Sequence, residues 1–219
     1  MLRNRQLTIP PSVMPHNKKR TDMDDNNVFV KFINEELQLP LPLAEDIVSN
    51  FDYEILLPNT FLLKSGEVCQ KYMFIHYGFL RSLVIDNESN EVTTNFFSKF
   101  QQAFEPSSFF NQTVSKENIQ TITECGGWIV DNQKMETYFQ TNQGYREFGR
   151  RLLVKSMTEL KERMLLLQTE TAENRYLLLL KQHPDLIQNV PLKQIASYLG
   201  ITDTSLSRIR KITINKNIY

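Results

Sequence analysis

Apolar residues recur at helical spacing at Val28, Phe29, Phe32, Ile33 and Leu37, and this helix is stopped by Pro40 and Pro42 in "LQLPLP". A further turn or two of helix is predicted over residues 44–51. From residue 53 to residue 130 the pattern shortens. "YEILL", "TFLLKSGE", "YMFIHYG", "FLRSLVI" and "EVTTNFF" are brief runs rich in Val, Ile, Thr, Phe and Tyr, divided by turn residues such as "DNESN". Runs of this kind predict hairpins stacked into a barrel or two-sheet roll, with "IQTITE" and "WIV" as the last strands. Helical spacing returns after Asp131 with Met135, Tyr138 and Phe139, and a long helix is predicted over 141–168.

Within that long helix Leu153, Met157, Leu160, Met164 and Leu167 form a heptad seam flanked by Arg150, Lys155, Glu159, Lys161 and Arg163. The seam is shorter than an extended coiled coil needs, and it reads either as one amphipathic core helix or as a dimer contact. Leu152, Leu165 and Leu166 lie off the seam and are expected to pack on the strand domain. "TAENRYLLLLKQHPDL" then predicts a fresh helix, capped by Thr169 or Thr171, with Glu170 and Glu173 near its positive end and Pro184 closing it.

The stretch "PLKQIASYLGITDTSLSRIRK", residues 191–211, meets the demands of a helix-turn-helix. Two short helices crossing steeply need a few apolar positions facing a shared core and one tight turn with a left-handed backbone. Ile195, Leu199, Ile201, Leu206 and Ile209 supply the apolar positions, Ala196 is small where the helices approach, and Gly200 supplies the turn. Pro191 suits the start of the first helix, and Thr202 suits the N-cap of the second. The second helix then turns Asp203, Thr204, Ser205, Ser207, Arg208 and Lys211 outward. In a major groove Thr204, Ser207 and Arg208 would read base edges, while Lys193, Thr202, Ser205, Arg210 and Lys211 would hold phosphates. A helical hairpin that binds a protein partner is the competing reading.

Charge sharpens this division. The 25 basic and 25 acidic side chains cancel, so no global field draws the chain to nucleic acid or membrane. From residue 191 onward, however, five cations face Asp203 alone, and residues 1–22 carry Arg3, Arg5, Lys18, Lys19 and Arg20 against Asp22. The first 26 residues have no periodicity and are expected to form a basic tail. Cys69 and Cys125 fit neither a disulfide framework nor a metal-site spacing, and no apolar run is long enough to span a membrane, so a reducing cytoplasm is expected. No nucleophile or phosphate-loop motif is present. His16, His76 and His183 fall in a tail, a strand and a helix end, and no catalytic residue is assigned.

The order roll, long helix, helix-turn-helix resembles the CRP/FNR family of bacterial transcription regulators over about residues 28–212. "LLKSGEVCQKYMFIHYGFLR", with Gly66 and Gly78 at turns, is similar to the hairpin of a cyclic-nucleotide-binding roll. "AENRYLLLL" is similar to the family's segment after the dimer helix, and the helix-turn-helix stretch is similar to its DNA-reading unit. The resemblance implies an α+β fold in four parts: a tail (1–26), a jelly-roll-like sensor roll (27–140), a dimerisation helix (141–168) and a DNA-binding unit (169–219). It also implies a homodimer on palindromic double-stranded DNA, an effector, and RNA polymerase as a partner. Two departures stand out. The stretch "FEPSSFFNQTVSKENIQTIT" lacks the Gly-Glu and Arg-Ser/Thr cassette with which family members clasp a cyclic phosphate, so no cofactor is assigned and cyclic AMP is expected not to bind. Two cysteines likewise cannot supply the four thiolates of an iron–sulfur cluster. Phe96, Phe97, Phe104, Phe109 and Phe110 near that stretch are expected to be core or to line an apolar pocket for an unidentified small molecule. After Lys211 too little chain remains for the family's DNA-touching β-hairpin.

Overall fold

The computed structural model describes residues 26–216; residues 1–25 of the predicted tail and residues 217–219 lie outside the described residues, while Asn26, expected in the tail, opens the first helix. Helix α1 covers residues 26–36, its second half, Phe32–Glu36, being a π-helical segment. It buries Phe29, whose ring stacks on Phe74 (4.3 Å) and Trp128 (4.5 Å), while Asn26 Oδ1 accepts the Trp128 indole N–H at 2.9 Å. Buried aromatics of this size dominate the packing of a small domain. Pro42, read from sequence as part of a stop, instead sits in the first turn of α2, Leu41–Ser49, where its missing N–H costs nothing.

Eight strands follow as β1 Asp52–Leu56, β2 Phe61–Leu63, β3 Lys71–Tyr77, β4 Leu80–Ile85, β5 Glu91–Phe97, β6 Gln102–Ala103, β7 Asn118–Thr121 and β8 Cys125–Asp131. They form two antiparallel four-stranded sheets, ordered β1-β8-β3-β6 and β2-β7-β4-β5. Leu63, Met73, Ile75, Leu80, Phe97, Ile119 and Cys125 belong to their common core. The β3–β4 turn requires Gly78, at φ +93°, because a Cβ there would lie 2.3 Å from the Glu124 carbonyl. Cys69 and Cys125 are both buried and free, and burial pushes the Cys125 thiol up to about 11. Helix α3, Pro106–Asn111, and the two-residue β6 were not anticipated from the sequence.

Asp131 caps α4, Asn132–Thr141, by accepting from Lys134 N at 2.8 Å, and Asn142 caps the next helix by accepting from Gly144 N at 2.8 Å. The long helix α5 is therefore Gln143–Thr169, about 40 Å of stem at the usual helical rise. Tyr145, Phe148 and Leu152 seal its first half onto the roll core. Thr171 caps α6, Ala172–Gln182; of the two candidates it is the one whose hydroxyl accepts from Asn174 N, at 3.2 Å. Pro184 ends that helix by opening another, α7, Pro184–Asn189. Helices α8, Leu192–Tyr198, and α9, Asp203–Lys216, complete a small head around Tyr176, Leu179, Leu186, Val190, Ile195, Leu199 and Leu206.

Candidate nucleic-acid interface

The bend between α8 and α9 is built as the sequence demands. Gly200 adopts φ +69°, its amide closing on Ser197 O at 3.0 Å, and Ile201 N returns to Ala196 O at 3.0 Å. Ile195, Ala196, Leu199 and Leu206 are buried, with Ile201 and Ile209 packed against them. Thr202 caps α9: its hydroxyl accepts from Ser205 N at 3.2 Å and bonds the hydroxyls of Thr204 and Ser205, each at 2.9 Å. Pro191 takes the N-cap position of α8, one residue before the helix proper.

One face of α9 is left open. Asp203, Thr204, Ser207, Arg208 and Lys211 are all exposed and line a single shallow depression of about 380 Å³. Lys193 is exposed at the start of α8, Arg210 is half-buried, and none of Lys193, Arg208, Arg210 or Lys211 makes an ion pair among the described residues. The three proposed base readers thus share one surface with Lys211, while Thr202 and Ser205 have their hydroxyls engaged in the cap. The α9 helix runs on to Lys216, so no hairpin follows the bend among the described residues.

The stem carries two stripes. Leu153, Met157, Leu160, Met164 and Leu167 face away from the roll and are exposed, Met157 at 62% and Leu160 at 64%. A neighbouring stripe, about a quarter-turn around the helix, turns polar toward the roll: Ser156 Oγ donates to Gln102 Oε1 at 3.2 Å, Gln101 Nε2 donates to Glu159 Oε2 at 3.3 Å, and Arg163 donates to Thr94 O. The apolar seam is therefore not the molecule's own core. Of the off-seam leucines, Leu152 is buried and Leu166 half-buried as expected, but Leu165 is exposed beside the seam.

Between β6 and β7 the roll presents α3, whose N-terminal amides are already occupied. Glu105 Oε1 accepts from Ser107 N at 3.1 Å and Oε2 from Ser108 N at 2.6 Å. Glu117, on the same stretch, is half-buried; burial raises its carboxyl above the ordinary glutamate value, and Glu105 adds to the rise. Phe109 is core as expected, Phe97 is nearly so, Phe104 is half-buried, and Phe110 is exposed. Phe96 is core as expected, but in the head's cluster: strand β5 turns it away from the roll interior and it packs on Tyr198 at 4.8 Å. Strand alternation explains this, since Phe97 takes the inward position.

No protein-family model and no curated protein matches the sequence, but solved structures do. The c-di-GMP-responsive global regulator CLP of Xanthomonas campestris is 14% identical, with a TM-score of 0.64 over 81% of this chain and 93% of that one. FixK2 of Bradyrhizobium japonicum is 17% identical, with a TM-score of 0.64 over 77% and 86%. A chain from Eubacterium rectale described as a regulator of the CRP/FNR family is 13% identical, with a TM-score of 0.63 over 82% and 86%. The fold is the CRP/FNR fold. Coverage of more than four-fifths of each of those chains means that roll, stem and head of the CRP/FNR fold are all present here. Two side chains of this chain escaped the sequence reading: Arg163 and Arg175, whose guanidinium groups meet the end of α8. Arg163 was read only as a flanking charge of the seam.

Proposed function

We propose that this chain is a DNA-binding transcription regulator of the CRP/FNR type, acting as a homodimer on a palindromic site. The observation that carries the reading is the open face of α9, where Thr204, Ser207, Arg208 and Lys211 share one concave surface beside a left-handed Gly200 bend. Arg208 can bond guanine O6 and N7 bidentately, and the hydroxyls of Thr204 and Ser207 can bond base edges. Lys193, Arg210 and Lys211 hold phosphates, with Thr202 and Ser205 adding hydroxyl contacts from the helix start. The exposed seam of α5 supports the homodimer, because the polar stripe beside it is already spent on the roll and a second seam is the partner that matches its heptad spacing.

The roll is proposed to respond to something other than cyclic AMP, and to carry no iron–sulfur cluster. Glu105 supports the first part, since a carboxylate already fills the amides at the start of α3 and would repel a cyclic phosphate placed beside it. For the second, both cysteines are buried with thiols raised by burial, and no cluster of three or more His, Cys, Asp or Glu among the described residues could hold a metal. Selection from a random-sequence duplex pool tests the whole reading. A palindrome with half-sites one or more helical turns apart is the expected product, and failure to enrich any sequence refutes it.

A further inference from the structure

The last carbonyls of α8, where the chain bends toward α9, point at two guanidinium groups that belong to neither helix. Arg175 of α6 donates to Leu199 O at 2.8 Å and to Glu170 O at 2.7 Å, tying the bend to the break between α5 and α6. Arg163 of α5 donates to Thr94 O of β5, reaches Tyr198 O at 3.5 Å, and lies over the Tyr198 ring, 4.1 Å from its centroid. A helix end leaves carbonyls unpaired and carries partial negative charge, so cations placed there are favourable. A planar fork with five donors can bridge several acceptors at once, which an ammonium cannot do in the same geometry.

The rest of the contact between α8 and β5 is thin in directional bonds. Ser197 Oγ accepts from Thr93 N at 2.9 Å, and Tyr198 meets Phe96. Thr93 Oγ1 and Gln194 Oε1, by contrast, are buried with no partner, and such atoms weaken an interface. Arg163, on the stem, therefore bonds to both the roll and the head. Burial pulls its guanidinium below the ordinary arginine value while Tyr198 and Glu117 pull it back up.

We propose that Arg163 is a positioning residue for DNA reading: by bridging Thr94 and Tyr198 it fixes the angle of the head on the stem, and so makes the dimer selective for the spacing between half-sites. This rests on the dimeric DNA-binding function proposed above. In a dimer joined along α5, the separation of the two α9 helices follows from that angle, which the break at Glu170, the Arg175 tie, the Ser197–Thr93 bond and the Phe96–Tyr198 contact restrain alongside Arg163.

The test uses full-length wild type, Arg163→Gln and Arg163→Lys. Hydrogen exchange at Thr93, whose amide is held by Ser197, should quicken by about tenfold or more in Arg163→Gln; unchanged exchange overturns the proposal whether or not DNA binds. On palindromes built from the selected half-site with spacers changed by one or two base pairs, wild type should prefer one spacing by about tenfold. Arg163→Gln should retain no more than about threefold, with single half-site affinity kept within about twofold. Retained spacing preference, or an equal loss on single half-sites, overturns it. Arg163→Lys should behave as Arg163→Gln, and full recovery by Lys would show that charge alone suffices and defeat the bridging role. Failure of the wild type on every duplex sinks the DNA-binding reading, and the exchange measurement still decides whether Arg163 holds the head.

Discussion

Arg208 and Lys211 occupy one surface of α9 but are assigned different work. Arg208→Ala should weaken binding to the selected site by about 1–3 kcal/mol and relax one base position, whereas Lys211→Ala should weaken specific and random duplex alike and make the salt dependence shallower. Binding isotherms at several salt concentrations on both duplexes separate the two; equal losses for both variants on both duplexes contradict the division. Glu117 supports a second prediction. Its carboxyl is raised by burial and by Glu105, against the opposing hydroxyls of Thr94 and Ser82 and the charge of Arg163. A folded-state pKa above the unfolded one means that the stability this group contributes is present in full below the unfolded glutamate value and is lost as pH rises through the folded one. Glu117→Gln should therefore compare better with wild type in Tm at pH 7.5 than at pH 4.5. A comparison that worsens as pH rises would contradict the assignment. The roles of Arg208 and Lys211 could be read from the sequence, but that of Glu117 could not, since it is one acidic residue among many and only folding brings it to Glu105 and Arg163.

At the scale of the element, α5 states its role through contrast between its faces. Met157→Glu with Leu160→Glu places two charges in the middle of the exposed seam and should convert the protein to monomer in sedimentation, with far-ultraviolet circular dichroism unchanged, because neither residue supports the roll. An unchanged dimer mass refutes the seam. The seam was readable because a 4-3 spacing projects onto one side of a helix whatever it meets. The polar stripe beside it was not readable: Ser156, Glu159 and Arg163 share the same period, yet their partners Gln102, Gln101 and Thr94 lie more than fifty residues away. The helix-turn-helix was the most legible element, since Ile195, Leu199, Gly200 and Leu206 are fixed by local geometry. The strands were legible where they alternate, and β6 and α3 were missed because a two-residue strand and a six-residue helix are too short to show a period.

For the whole molecule, the arrangement of roll, stem and head is that of the CRP/FNR fold, and the proposal that cyclic AMP does not bind is tested at this scale. If cyclic AMP bound with a Kd one hundredth of its concentration, it would stabilise the native state by about 2.7 kcal/mol, a readily measured rise in Tm. No rise is expected at millimolar cyclic AMP, and a clear one would show that Glu105 yields its place. The order of the three parts could be read from changes in hydrophobic texture along the chain. Their mutual placement could not, because it depends on Phe96 turning outward and on Ser197 reaching Thr93, neither of which leaves a periodic trace.

The bond from Thr93 to Ser197 has one more consequence. Strand β5 is the last of its sheet, and its outer rim would otherwise offer free amides and carbonyls to any extended chain. The head thus shields a sticky border, and a fragment cut after the stem is expected to self-associate in concentration-dependent light scattering where the intact protein does not.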